Sequence, residues 1–267
     1  MGITAAYMVP HPPLIVPAVG RGGEKKVIKT IESYDRVGRE IAKIAPETIV
    51  ILSPHSVMYS DYFHISPGNS AEGDFGRFGA PEVRFDETYD TEFVGKLESY
   101  LKADGFPGGI RGQLDKALDH GTMVPLYFIR KFYKGGKIIR IGLSGLSLQD
   151  HYKFGTYIKK AADELSRNTV IVASGDLSHK LQEYGPYGFD PAGPVYDKMI
   201  MDVASKADFK AMLEFDEALL DNAAECGHRS FVIMGGTLDG CKVKAEVLSH
   251  EDVTGVGYGI CIFEKED

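Results

Sequence analysis

Short apolar runs alternate with longer stretches of helical periodicity along this chain. Residues 3–9 read as a strand, ended by Pro10-His11-Pro12-Pro13 because proline cannot continue a hydrogen-bonded ladder. In 26–44 the side chains of Val27, Ile31, Val37, Ile41 and Ile44 recur at near-helical spacing, which predicts an amphipathic helix. A β-branched run at 48–52 follows and closes on Ser53-Pro54-His55. Strand, helix, strand within about fifty residues is the βαβ arrangement of a sheet with parallel neighbours.

The pattern is less regular from 67 to 81, where Gly and polar residues dominate and a long loop is expected. Helices are predicted at 91–102, at 120–133 with Pro125 in the first turn, at 150–166, 195–207 and 209–220, and within 223–238. Strands are predicted at 137–143, 169–173, 242–249 and 257–264. No internal repeat, linker or shift in composition divides the chain, so residues 1–267 read as one α/β domain.

Composition narrows the function classes. Hydrophobic residues make up 43% and charged residues 25%, ordinary globular usage with enough apolar material for a sizeable core. A formal net charge of −8 argues against binding nucleic acid or an anionic membrane, both of which call for basic surfaces. No apolar run approaches the length of a membrane span, and the N-terminus lacks a basic region followed by an apolar stretch. Three cysteines, Cys226, Cys241 and Cys261, form no CxxC pair and no disulfide framework, which points to the cytoplasm.

The chemistry concentrates where predicted strands end. His11 and His55 each sit in a Pro-flanked turn just after a strand, and His179 follows another in Ser174-Gly175-Asp176-Leu177-Ser178-His179. Loops beyond the carboxyl ends of parallel strands converge on one rim, so these histidines are candidates for one site. Two imidazoles suit Fe(II), Zn(II) and related metals. The plainer alternative is that each bonds backbone in a tight turn. A third ligand is sought in Glu225-Cys226-Gly227-His228-Arg229. Glu225 would complete a 2-His-1-carboxylate triad with open positions, although a carboxylate there could instead serve a helix N-terminus; Cys226 and His228 are also eligible ligands.

His179 is the natural acid–base residue, with Asp176 placed to orient it or a water. His120, in Asp119-His120-Gly121-Thr122, is a second candidate as proton donor or substrate contact, unless it only caps a helix start. Ser178 lacks the GxSxG setting of a nucleophile. His64, His151 and His250 have no distinctive context and read as surface or structural residues. Gly255-Val256-Gly257-Tyr258-Gly259 precedes a strand where a phosphate loop would need a helix, Lys134-Gly135-Gly136-Lys137 reads as a turn, and Cys241 and Cys261 read as inert.

Taken in order, Pro-His-Pro-Pro, Ser-Pro-His-Ser, Ser-Gly-Asp-Leu-Ser-His and Glu-Cys-Gly-His-Arg-Ser resemble the LigB-like class III extradiol ring-cleavage dioxygenases. The resemblance is greater to the Memo-like branch found in AmmeMemoRadiSam systems, and it runs from His11 to about Gly236. It implies an α/β domain with a central mixed, largely parallel sheet flanked by helices, and a mononuclear Fe(II) on His11, His55 and Glu225, with Zn or Cu as other metals. It further implies His179 as acid–base residue, His120 on the substrate side, and a catechol-type substrate opened with O2. In Memo-like proteins a Cys precedes the Gly where dioxygenases carry Glu, and this chain has both, Glu225 then Cys226. The alternative implied by Cys226 is a metal-binding or regulatory protein without ring-cleavage turnover. A metal-dependent hydrolase ranks behind both, lacking the extra carboxylates that bridge two metals. Partners would be a homodimer mate or separate chains of the same system.

Overall fold

The computed structural model describes residues 2–266. In chain order the elements are β1 (Ile3–Val9), α1 (Pro17–Gly20), α2 (Ile28–Ile44), β2 (Thr48–Ser53), β3 (Phe63–His64), β4 (Ser70–Phe75), β5 (Ala80–Thr88), α3 (Thr91–Ala103) and β6 (Gly108–Gly109). They continue as α4 (His120–Phe132), β7 (Lys137–Gly142), α5 (Leu148–Glu164), β8 (Thr169–Ser174), α6 (Ala192–Ser205), α7 (Glu217–Ala223), α8 (His228–Thr237), β9 (Val243–Glu251) and β10 (Tyr258–Lys265).

Six strands form the central sheet in the order β7-β2-β8-β1-β10-β9. The first four run parallel, while β10 is antiparallel to both β1 and β9. This is the mixed, largely parallel sheet flanked by helices that the motif order implied. Alternation along the strands explains why both faces are covered. In β2, Val50 and Leu52 enter a core with Phe154, Ile158, Phe231 and Val232 of α5 and α8. Ile49 and Ile51 enter the opposite core, with Tyr34, Val37 and Ile41 of α2 and Val124 and Phe128 of α4. Strands covered on both sides read as continuous apolar runs, which is how β1, β2 and β8 appear in the sequence.

Three expectations change. The 67–81 segment is not a loop: β4 and β5 pair as an antiparallel hairpin, with Ala71, Phe75, Ala80 and Phe85 buried while the intervening positions face out. Its period-2 pattern is diluted by Gly73, Gly76 and Gly79, which mask a strand signal. The helix expected over 209–220 is a 3-10 turn at Ala211–Glu214 followed by α7, which starts at the Asp216 cap. Pro125 lies inside α4, a turn beyond its start, rather than in the first turn.

Register sets the site. Val9 pairs with Ser174 and Leu52 with Ala173, so β1, β8 and β2 end in neighbouring rows and release their following turns on one rim. Among the described residues no helix is long and apolar enough to cross a membrane.

The core beneath the rim rests on aromatic packing: Phe154 stacks on Phe63 at 4.5 Å and 6°, and is fully buried. Phe154→Ala is expected to cost about 3–5 kcal/mol, since the neighbouring rings cannot collapse into the space. Urea unfolding should show a lower midpoint at unchanged slope.

Candidate metal centre

The turns after β1 and β2 bring His11 and His55 together, with Nε2 atoms 2.9 Å apart. Cys226 Sγ lies 3.6 Å from His11 Nε2. One donor atom from each of these three residues falls within 4.8 Å of the others. His11 is buried, Cys226 half-buried and His55 exposed, so the cluster opens to solvent on the His55 side.

The tautomer of His11 follows from proton counting. Ser174 Oγ donates to the carbonyl of Gly121 at 2.6 Å, which uses its only proton. Ser174 Oγ also lies 3.0 Å from His11 Nδ1, so it can only accept there, and Nδ1 carries the proton. Nε2 therefore presents a lone pair to the cluster, the state a metal requires. The Gly121 carbonyl is free because its helical partner four residues on is Pro125, which has no N–H.

Backbone contacts hold the sulfur against the imidazoles. Asp176 Oδ1 accepts the His11 N–H at 2.7 Å, and its backbone N–H points at Cys226 Sγ at 3.3 Å. The carbonyl of Asp176 accepts the N–H groups of Cys226 and Gly227. A Cβ on Gly175 would stand 2.0 Å from Gly227 Cα, so only glycine allows this approach. Asp176, expected to orient His179 or a water, holds the His11 turn through Oδ1.

Glu225, expected as the third ligand, is turned away. It lies just before α8, and Oε2 accepts the His228 N–H at 2.5 Å, the helix-end role weighed against ligation above. The first N–H groups of a helix lack internal partners and attract a carboxylate, and that attraction decides the orientation here. His228 is not available either. It is buried, with Nε2 2.8 Å from the Met212 carbonyl and Nδ1 3.3 Å from the Tyr196 hydroxyl. Of the three third-ligand candidates, Cys226 alone joins the two histidines.

His120 does reach the cluster. Asp119 caps α4 by accepting the Thr122 N–H at 3.0 Å and also accepts the Ser53 hydroxyl at 2.5 Å, which ties the helix start to the end of β2. The His120 ring then lies 4.0 Å from that of His55 and 5.3 Å from that of His11, centroid to centroid. On its outer side Phe78 meets it edge-on at 5.6 Å. His179 is half-buried, its N–H donating to the Ala223 carbonyl at 3.1 Å, its Nδ1 unpartnered and its ring edge-on to Tyr187 at 5.0 Å. A cleft of about 720 Å³ opens from His55 and His120 and is lined by Phe78, Met123, Arg77 and Lys116.

Burial disfavours charge throughout this rim. It holds His11 well below the ordinary imidazole range, with the neighbouring histidines adding to the effect, and it lowers His55 and His179. Burial pushes His120 down to about 4, and it pushes the Cys226 thiol well up, with Asp176 and Glu225 reinforcing that shift. Glu225 is itself raised to about 7 by burial. Three soft or borderline donors with one histidine locked in the ligating tautomer fit a divalent or soft metal ion, and the exposed side leaves room for further ligands.

Sequence reasoning gave Ser174 no role, although its place directly after the predicted strand 169–173 was a usable signal. It also missed His250, treated as featureless although its ring bonds a buried carboxylate, Asp197. His151 is structural as expected, bonding the Ser147 carbonyl at 2.8 Å.

A family model described as the catalytic LigB subunit of aromatic ring-opening dioxygenase matches residues 5–261. The chain belongs to this family. Protein CA_C1420 of Clostridium acetobutylicum is 40% identical over 99% of this chain and 58% of its own length. The 3,4-dihydroxyphenylacetate 2,3-dioxygenase of Escherichia coli is 24% identical over 56% of this chain and 56% of its own. The chain thus spans little more than half the length of these curated relatives. In structure it resembles protein JW3007 of Escherichia coli K12, with a TM-score of 0.62 at 13% identity, covering 97% of this chain and 99% of that one.

The pH behaviour follows from the neutral histidines. His120 and His151 stay unprotonated in the fold down to about 4, whereas the unfolded chain takes up protons near 6.5. Through these two groups the unfolded state binds more protons in this window, so their contribution is full above it and falls as pH drops through it, partly offset by Glu225 and Asp176, which burial raises to about 7. Denaturation midpoints of the metal-free protein, measured across that range, should decline toward acid; His120→Asn should flatten the decline.

Proposed function

We propose that this chain is a metal-dependent oxygenase-type enzyme acting on a small catechol-type aromatic, with the metal held by His11, His55 and Cys226. The observation that carries the ligand assignment is the convergence of two imidazole nitrogens and one sulfur at the rim of the parallel strands. Membership of the LigB family supports the reaction class, and the E. coli relative's name supports a catecholic substrate. The eligible metals are Fe(II), Zn(II) and copper. A bound metal would supply a Lewis-acid anchor for the paired hydroxyls and, if redox-active, a partner for O2.

The protein side of the reaction uses the groups around that anchor. A ring nitrogen of His179, kept neutral by burial, takes a proton from a substrate hydroxyl. His120 lines the cleft beside His55 and contacts a substrate oxygen, while Phe78 covers its outer edge. Ser174 holds His11 Nε2 free to ligate.

Cys226 also favours a second reading. A thiolate is softer than the carboxylate of ring-cleaving iron sites and suits copper or zinc, which fits a Memo-like metal-binding component of an AmmeMemoRadiSam system without ring-cleavage turnover.

Metal analysis of anaerobically reconstituted variants tests the ligands. Cys226→Ala and His11→Ala should lose the metal, and Glu225→Ala should keep it; the reverse pattern for Cys226 and Glu225 overturns the assignment. Ser174→Ala should weaken metal binding about 10- to 100-fold, as loss of an orienting partner does. With metal bound, O2 uptake and a yellow product from 3,4-dihydroxyphenylacetate or another catechol support the enzyme. Silence across a catechol panel with each metal in place supports the second reading.

A further inference from the structure

A buried carboxylate paired with a partly exposed histidine lies behind the loop that carries His179. Asp197, on α6, is almost fully enclosed, its side chain 3% exposed. Its Oδ1 accepts the Ser178 N–H at 2.9 Å, and its Oδ2 meets His250 Nε2, at the end of β9, at 2.7 Å. Ser178 is the residue before His179, and its own groups are all engaged. Its hydroxyl donates to the Ala223 carbonyl at 2.8 Å and accepts the Lys180 N–H at 3.0 Å, and its carbonyl accepts the Gly257 N–H at 2.8 Å. The arrangement requires glycine at 257, since a Cβ there would lie 2.1 Å from Asp197 Oδ2.

We infer that Asp197 and His250 are positioning residues for His179: the ion pair clamps the Ser178 peptide and so fixes the direction in which the His179 ring enters the site. A carboxylate this enclosed needs partners on both oxygens, and among the described residues the cation that can meet it is the His250 ring when protonated. The inference rests on the reading of His179 as the proton-handling group.

The clamp has a pH window. His250 is raised above the ordinary imidazole value by its bond to Asp197, and Asp197 is raised by burial against the opposing pull of His250. Asp252 reinforces His250 from the turn after β9, with Gln182 beside it. From α2, Lys29, Glu32 and Arg36 share a shallow cavity with His250, and His179 faces Asp197 across the loop. Below the raised His250 value and above the raised Asp197 value both groups are charged. As pH rises through the His250 value the clamp loses its cation and the Ser178 peptide loosens.

Amide hydrogen exchange, read by NMR on the full chain and corrected for intrinsic rates, tests this without requiring turnover. In His250→Leu, protection of the Ser178 and His179 amides should fall roughly ten- to a hundred-fold, the range of a charged hydrogen bond, while Val172 in β8 is unchanged. In the wild type the same two amides should lose protection as pH rises through the His250 titration. Asp197→Asn, which keeps an acceptor for Ser178 and removes the charge, should abolish that step, and His250→Gln should recover part of the protection. Unchanged protection in His250→Leu with no pH step overturns the inference, as does an equal loss at Val172, which would mark a general contribution to stability. His179→Gln in the O2-uptake assay judges the acid–base reading separately.

Discussion

A serine hydroxyl has one proton to give, and the candidate metal centre depends on where Ser174 gives it. Because Pro125 has no N–H, the Gly121 carbonyl inside α4 lacks its helical partner and takes that proton. Ser174 is left as an acceptor, so His11 must hold its own proton on Nδ1 and turn a lone pair toward His55 and Cys226. One helix-interior proline, normally a cost to the helix, thus joins α4, β8 and the turn after β1 in a single chain of hydrogen bonds. Replacing either end of that chain would leave a buried polar group unsatisfied, which is expensive enough to keep the arrangement unique.

Around this chain the rim is built to exclude net charge until a cation arrives. Imidazoles are held neutral by burial and by one another, the Cys226 thiol is held protonated by burial and two nearby carboxylates, and Glu225 is spent on the start of α8. The imidazoles of such a cluster offer free lone pairs, while the thiol gives up its proton only when a cation displaces it. The Asp197–His250 pair follows the opposite rule: there a charge is buried by design and matched by another one behind the loop. The rim near the candidate ligands is kept neutral, and the support behind His179 is a carboxylate facing a histidine whose protonation it favours.

Most of the scaffold was legible because the physics that makes it is local. Strands buried on both faces need apolar side chains at every position, and β1, β2 and β8 show them. The helices show their buried stripe, as Val37 and Ile41 do in α2. Pro-His turns at two strand ends were enough to bring His11 and His55 to one rim, since parallel strands in register must end together. The β4–β5 hairpin was not legible, because glycines that let its strands bend and pack also erase the alternation by which strands are recognised. The Asp197–His250 pair was not legible either: its members lie 53 residues apart, and nothing local marks their meeting.

The third ligand shows where sequence reasoning runs out. Glu225 and Cys226 are neighbours, and either residue type can ligate a metal, so residue type alone leaves the choice to general affinity arguments. The orientation is set instead by one local contact and one at long range. The N-terminus of α8 claims the carboxylate, and the Gly175–Gly227 approach presses the next side chain toward β8 and His11. Glu225 Oε2 satisfies the His228 N–H, and the carboxylate lies outside the group formed by His11, His55 and Cys226. The donor set offered by the candidate site is therefore a consequence of helix capping, and its softness follows from how α8 begins.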